Sequence, residues 1–315
     1  MQKAFRNRDL VGDASMRKKK HQLFDIVNMV FMLLLLTLTA YPLYYTVIAS
    51  FSEASAAATG KVIWKPVGLT LEAYEQVFAY RQIWVGYLNT VIYTVLGTVF
   101  NILLTIPAAY TLSKKYLPGR RGIMTVFLIT MYFGGGMVPT YLLIKSLGLI
   151  NTRLVLIIVG GVSVYNLIVA RVFFSSSISD SLYEAADIDG ASEFRKFASI
   201  AIPLSKPILA VMVLYYAVGH WNNYFDALLY ISRNNLEPLQ LVLRKVLIQN
   251  KDALDEALMK KNLTADKMLD SARRAYLAYT MKYAMVFIGS APLLIAYPFV
   301  QKYFVKGVMI GALKE

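Results

Sequence analysis

Cysteine is absent from the chain, and among its 315 residues only two histidines occur, His21 and His220. The missing cysteines exclude disulfides, thiolate nucleophiles and cysteine-held metals. Two histidines so far apart leave no basis for a metal site or a Ser-His active site. Charge is scarce as well: charged residues make up 17% of the chain, against about 25% in a soluble domain. Acids are the scarcer sign, with 19 against 33 basic residues and a formal charge of +14. No G-x-x-x-x-G-K-[ST] segment occurs, so the chain lacks the loop that cradles nucleotide phosphates.

Apolar residues fill the space these leave, at 57% of the sequence. They fall in several runs of about 20 residues, the length that crosses a bilayer core. Backbone at that depth finds no water, so a span must be a helix or part of a closed barrel. Unbroken runs of Leu, Ile, Val and Ala lack the alternation of a barrel strand. The expected fold is an all-α polytopic membrane protein. The basic residues cluster at the edges of the apolar runs, where lipid headgroups and topology explain them, and no nucleic-acid partner is expected.

Six transmembrane helices are expected, over 23–51, 83–112, 122–147, 152–174, 208–231 and 282–304. The first is too long for a signal-peptide core and reads as a retained span. A basic segment (1–22) precedes this 23–304 permease-like body, and a short tail (305–315) follows it. Lys3, Arg6, Arg8, Arg17, Lys18, Lys19 and Lys20 lie before the first span; Lys114, Lys115, Arg120 and Arg121 lie after the second. Both clusters belong on the inside. That orientation makes both termini and the 175–207 loop cytoplasmic and 232–281 external. The external segment carries nine basic residues, but six acids are mixed among them and long loops translocate regardless of charge. Within it, 238–248 nearly alternates apolar residues (Leu239, Leu241, Leu243). The 251–277 part has helical spacing (Leu254, Leu258, Leu263, Met268, Leu269), read as one or two amphipathic helices.

The 175–207 loop is polar, helix-compatible and bounded by apolar runs, and a loop of that kind needs a partner or a catalytic reason. Ser181-x-x-Glu184 reads as a capping box, Ala185 and Ala186 as helix formers, and Gly190 as a left-handed stop. A second helix starting near Ser192 would place Phe194, Phe197, Ala198 and Ala201 on one face until Pro203 ends it. The bland alternative is a helix-turn-helix linker in which Glu184 only caps.

The full pattern, Glu184-Ala185-Ala186, three residues, Gly190, nine residues, Ile200-Ala201-Ile202-Pro203, resembles the cytoplasmic signature of ATP-binding-cassette importer permeases. The resemblance runs from about residue 23 to the end and is to the maltose-type carbohydrate branch that serves oligosaccharides and polysaccharides. Arg171-Val172-Phe173-Phe174, Trp221-Asn222-Asn223 and the 307–314 tail support it; Ser179 (usually Pro) and Ile202 (usually Leu) depart from it. It implies a type I importer permease in a bacterial inner membrane, paired with a second homologous permease. Two ATPase subunits, an extracellular solute-binding protein, a carbohydrate substrate and membrane lipids are the implied partners. It implies no enzyme activity and no cofactor on this chain, with ATP and Mg on the ATPases. Glu184, Ala185, Ala186, Asp187 and Gly190 become the ATPase-docking coupling helix. Leu239, Gln240 and Leu241 become candidate contacts to the binding protein.

Candidate pathway residues are Tyr216, Trp221, Asn222, Asn223 and Tyr224, in a polar stretch expected midway along the fifth span. Aromatic faces with amides suit a sugar, and interhelical packing is the alternative. Gly134-Gly135-Gly136 permits close helix approach, a broken helix or a simple kink. A stand-alone secondary transporter or channel is the rival class. It would want buried carboxylates or inverted repeats, and Asp226 is the one clear mid-span acid.

Overall fold

A computed structural model describes the backbone of residues 2–259 and 265–312, with side chains over 24–249 and 273–298. Among the described residues the architecture is helical, with one isolated antiparallel bridge between Ser52 and Leu69. The chain divides into two compact units, 1–74 with 264–287 and 75–263 with 288–315.

The first unit is led by α1 (Gln2–Ser50). Side chains 24–40 are exposed on every face of this helix and, Asp25, Asn28, Thr37 and Thr39 apart, are apolar, a surface for lipid or another chain to cover. Beyond it, α2 (Ala54–Ala58) helps to close a small core of Ile48, Ala56, Ala57 and Val62 under Tyr45, Val67 and Tyr279. α3 spans Glu72–Ala79. Arg273 pairs with Glu72 at 3.1 Å.

The second unit is organised around α4 (Arg81–Ser113). At 1.5 Å per residue this helix is about 50 Å long. Its sequence is inverted relative to a soluble helix. The buried stripe is small and polar, namely Gly86, Asn89, Thr90, Tyr93, Gly97, Asn101 and Thr105. Leu88, Val91, Val95, Val99 and Leu103 face outward. Helices in lipid gain little by burying Leu against Leu, so small residues and hydrogen-bonding groups take the interface.

The third expected span is two helices, α5 (Arg120–Tyr132) and α6 (Met137–Ser146), bent by 111°. Gly136 makes the turn with φ +85, whereas no atom approaches where a Cβ on Gly134 or Gly135 would stand. The glycines break a helix and do not admit a neighbour. The fourth is also divided, into α7 (Arg153–Ile158) and α8 (Val164–Ser176). The fifth enters by α9 (Asp180–Ile188) and α10 (Glu193–Lys196), a π-helical turn (Phe197–Ala201) and α11 (Ile202–Leu204). It then bends by 81° at Ser205 into α12 (Lys206–Trp221) and breaks again before α13 (Phe225–Tyr230). Among the described residues, three helices are long and apolar enough to cross a membrane, or five if each bent pair is one span. Several of the expected spans are therefore interrupted helices among the described residues, and Val164–Ser176 is a further, shorter apolar helix.

Two further expectations change. The 238–248 segment is not extended: α14 (Leu239–Met259) is a helix, and Leu239, Val242, Leu243 and Val246 bury its i, i+3, i+4, i+7 face. The sixth span is the middle of one long helix, α15 (Ala265–Ala312), which takes in most of the tail. The side-chain pattern of 251–272 and the basic run Lys18-Lys19-Lys20 lie outside the described residues.

Breaking helices frees backbone groups, and the stripe on α4 receives them. Asn101 Nδ2 donates to Gly160 O at 3.2 Å and to Gly161 O at 2.9 Å, in the gap between α7 and α8. Its Oδ1 lies 2.6 Å from His220 Nε2. Asn89 Nδ2 donates to the carbonyls of Asn235 (2.9 Å) and Glu237 (3.0 Å), Tyr93 to that of Leu236 (2.8 Å), and Thr90 accepts from Leu239 N (2.8 Å). The His220 ring occupies the space that any side chain at position 97 would need, 2.4 Å from its Cβ. Gly97→Val should therefore displace His220, break its bond to Asn101 and cost about 1–3 kcal/mol. Thermal unfolding in detergent checks this, and an unshifted midpoint would show that the α4–α12 contact tolerates a side chain.

Candidate functional site

The 175–207 loop folds as a short helix, a tight turn and a second helical stretch. Ser179 caps α9, its Oγ accepting from Ser181 N at 3.4 Å, so Ser181-x-x-Glu184 does not form the expected capping box. The departure at Ser179 thus supplies the cap itself. At the other end Gly190 has φ +70; its N–H donates to Asp187 O (3.0 Å), and that of Ala191 donates to Ala186 O (2.9 Å). This is the paired-bond C-terminal cap that needs a left-handed residue. Ser192 caps α10 by accepting from Arg195 N. Pro203 does not end the second stretch; the π-helical turn precedes it, and the bend falls two residues later at Ser205.

One side of α9 is seated in the protein. Tyr183 and Ala186 are buried, in a cluster with Tyr110 of α4, Phe174 of α8 and Ala201. Tyr110 is the hub, with ring centroids 5.0 Å from Phe197, 5.7 Å from Phe174 and 6.1 Å from Tyr183. Lys114 Nζ lies 3.0 Å from the centre of the Tyr183 ring and 4.5 Å from that of Tyr110, a cation held on two aromatic faces. Burial lowers its pKa to about 8, against the opposing pull of Glu193. Lys115 pairs with Asp180 at 3.0 Å, and Tyr116 donates to Glu193 Oε2 at 2.8 Å. The turn after α4 is thereby tied to both halves of the loop.

Inside the loop, Lys196 is buried and its ammonium binds Asp187 (2.6 Å) and Glu193 (2.5 Å). Its hydrogen bonds to Asp187 and then to Glu193 raise its pKa, and its hydrogen bond to Glu193 lowers that acid's. A raised Lys pKa gives stability that is lost only as pH climbs above the lysine range. A lowered Glu pKa gives stability that is lost as pH falls below the carboxylate range. The cluster therefore stays charged across neutral pH.

The other side of α9 is open. Glu184 and Ala185 are exposed, with Leu182 (45%), Ile188 (88%) and Phe194 (77%) beside them. Clustered large apolar side chains exposed outside the spans are the kind of surface that interaction sites present. Of the five residues expected to dock, Glu184 and Ala185 face outward. Ala186 faces inward, Asp187 holds Lys196, and Gly190 makes the turn. The residues expected to share one face of the second helix are divided: Phe194 and Ala198 are exposed, Phe197 is half-buried and Ala201 is buried. Ile188, Lys196 and Lys114 carry no motif; helical phase from Ala185 would have found Ile188.

The second candidate region lies at the break between α12 and α13, not in mid-helix. Tyr216 is buried, its hydroxyl 2.7 Å from Thr105 Oγ1 and accepting from Ser163 N at 3.2 Å. Trp221 is buried and donates to Gly289 O at 2.9 Å. Both hold helices together. Asn223 Nδ2 donates to Asp226 Oδ2 (2.8 Å) and its Oδ1 accepts from Asp226 N (3.2 Å), so Asn223 ties down the first turn of α13. Asn222 and Tyr224 are exposed at the break. Leu239 and Leu241, expected to meet a partner, are buried core residues of α14; Gln240 between them is half-buried.

Residues 82–309 match the family model described as the binding-protein-dependent transport system inner membrane component. The chain belongs to that family. The permease is 36% identical to Protein LplC of Bacillus subtilis over 94% of this chain and 96% of that protein. It is 34% identical to the polygalacturonan/rhamnogalacturonan transport system permease protein YtcP of the same organism, over 94% of this chain and 99% of YtcP. A crystal structure of a bacterial ABC transporter involved in the import of the acidic polysaccharide alginate contains a chain with 33% identity and TM-score 0.78. That match covers 90% of the permease and 97% of the other chain. The permease is thus the membrane component of a binding-protein-dependent importer, as its loop pattern implied.

The seat of α9 allows a discriminating test. Lys196→Met removes a buried cation whose two acids are exposed and re-hydrate, for about 1 kcal/mol. Asp187→Asn with Glu193→Gln strands the buried cation instead, at about 3–5 kcal/mol. The double variant should melt lower than the single one; the reverse order would show that the cluster does not hold the loop. Gly190→Val should disturb the turn and Gly190→Asn preserve it, since Asn tolerates the left-handed region. Protease sensitivity of the loop reads the difference, and equal protection of both variants would refute the cap.

Proposed function

We propose that this permease forms, with a second homologous subunit, an alternating-access pathway for a carbohydrate, an oligosaccharide. Two separate ATPase subunits bind ATP and Mg and drive it, and an extracellular solute-binding protein delivers the substrate. The chain itself supplies no catalysis and no cofactor site. It lies in a bacterial inner membrane with both termini and the 175–207 loop in the cytoplasm.

The geometry of α9 carries this reading. A helix seated on one side and open on the other, with Glu184, Ala185 and Ile188 outward, suits insertion into a socket on a partner. Small Ala185 admits close approach, and Glu184 presents a charge for a basic residue. Because the helix is tied to α4 and α8, a shift of the partner displaces the cytoplasmic ends of both. Such coupling requires contacts that differ between the two states. The carbohydrate class is supported by the printed names of relatives, one a polygalacturonan/rhamnogalacturonan permease and one an alginate importer.

Purification of the tagged permease from its native membrane should bring down a second permease and an ATPase in one particle. Glu184→Lys should leave insertion intact while lowering binding-protein-stimulated ATPase activity about tenfold or more, the loss expected for a reversed charge at a contact. Full stimulation in that variant, or ATP hydrolysis by the isolated chain, would overturn the proposal. The cysteine-free sequence also permits clean labelling. Ser192→Cys should react from the cytoplasm and Arg233→Cys from outside, and the opposite pattern would invert the topology.

A further inference from the structure

The C-terminal end of α1 carries a continuous row of aromatic rings. Ring centres lie 5.3 Å apart for Trp64 and Tyr41, and 6.3 Å for Tyr41 and Tyr45. The row continues to Tyr283, 5.6 Å from Tyr45, and to Tyr279, 5.5 Å from Tyr283. The loop after α2 is pinned to it through backbone. Tyr41 donates its hydroxyl to Ile63 O (3.2 Å), and Tyr44 donates to Trp64 O. Val62 is buried in the small core beside Tyr45 and Tyr279. The next two residues, Ile63 (52%) and Trp64 (68%), are exposed in spite of these ties. A held loop therefore presents an isoleucine and an indole outward.

Three lysines accompany the rings. Lys61 and Lys65 are exposed on either side of Val62-Ile63-Trp64 in the chain. Lys282 of α15 places its ammonium 3.8 Å from the centre of the Tyr279 ring and 4.7 Å from that of Tyr283. Among the described residues no carboxylate pairs with any of the three. In the same compact unit Glu72 is taken by Arg273, and Glu53 accepts from Ser55. Back along α1, Leu33, Leu34, Thr37, Leu38 and Pro42 line, with Tyr41, an open groove of about 600 Å³. Thr37 Oγ1 donates to Leu33 O (2.8 Å), which leaves the groove apolar.

Depth fixes what these features face. From Phe24, where the apolar span of α1 begins, to Tyr41 is about 26 Å, and to Tyr45 about 32 Å. The hydrocarbon core is about 30 Å thick, so the rings fall at its boundary. Trp and Tyr collect at that level, and lysine stems reach from it to the headgroups. An apolar groove along the helix, then rings, then cations matches an acyl chain, a glycerol backbone and a phosphate in that order. We propose that the end of α1, the 61–65 loop and Lys282 form a site for one anionic phospholipid, its chain in the Leu33–Pro42 groove and its phosphate on the lysines. A zwitterionic headgroup would bring its own cation against three ammonium groups. The site lies in the leaflet opposite the N-terminus of α1, the outer one in the orientation proposed above. It requires that α1 spans the membrane and is independent of the substrate and of the ATPase reading.

The test uses the permease purified with the subunits that accompany it, in phosphatidylcholine vesicles. These are doped with a lipid carrying a photoactivatable diazirine on its acyl chain, either phosphatidylglycerol or phosphatidylcholine. Crosslinks to the 33–42 segment are mapped by mass spectrometry. They should be about tenfold or more frequent with phosphatidylglycerol, since each lysine near a headgroup favours an anion about fivefold. Lys61→Gln, Lys65→Gln and Lys282→Gln together should bring the two lipids to within about twofold, and the three Arg replacements should keep the preference. Equal crosslinking of both lipids in wild type would overturn the inference. So would a preference that survives the three Gln replacements, or one lost with Gln and Arg alike. Absence of lipid crosslinks at 33–42 with either probe would show that a protein subunit covers the groove, and would overturn it as well.

Discussion

Every peptide group placed in lipid must find its hydrogen-bond partner within protein, and α4 is how this chain meets that demand. Its neighbours are interrupted, at Val159–Ser163 and between Tyr230 and Leu239. Each break exposes carbonyls or amides that no helix satisfies. Asn89, Thr90, Tyr93, Asn101 and Thr105, at near-helical spacing along one face, bind those groups or the side chains that bind them. Glycines at 86 and 97 let the broken elements approach closely enough for this to work. The outward face of the same helix is left apolar.

Broken helices are useful in a transporter because they put polar backbone and amide side chains at membrane depth, where a polar solute can use them. The same device has a mechanical side. Tyr110 and Lys114, at the end of α4, reach into the 175–207 loop and hold Tyr183 of α9. One helix therefore links the seat of α9 to the bonds that organise the breaks. A displacement of α9 reaches α12 and α8 through α4 as well as along the chain.

Much of this was legible beforehand. Apolar runs located α1, α4 and the core of α15, since a long lipid-facing helix needs only composition. The loop motif was legible because its glycine, alanines and spacing are local requirements of a short capped helix. The interruptions were harder. A run such as 152–174 is predominantly apolar, and nothing in its hydropathy reports that Gly160 turns with φ +74 and that Asn101 binds its carbonyl. Likewise Leu239 and Leu241 read as an alternating edge, because two leucines two apart fit either a strand or the wide apolar face of a buried helix.

Composition and local pattern by themselves determined the class of this protein: helical, membrane-spanning, and carrying a polar loop that folds as a short capped helix. Those properties follow from solvation and from backbone preference, which act residue by residue. Tertiary structure alone decided that Ala186 faces inward while Ala185 and Ile188 face out, and that Lys196 is a buried cation serving Asp187 and Glu193. It also decided that Tyr216 and Trp221 hold backbone while Arg244 lies over the Tyr224 ring. Each of these depends on which distant residue arrives beside it, and burial and pairing across a gap in sequence are set only when the helices meet.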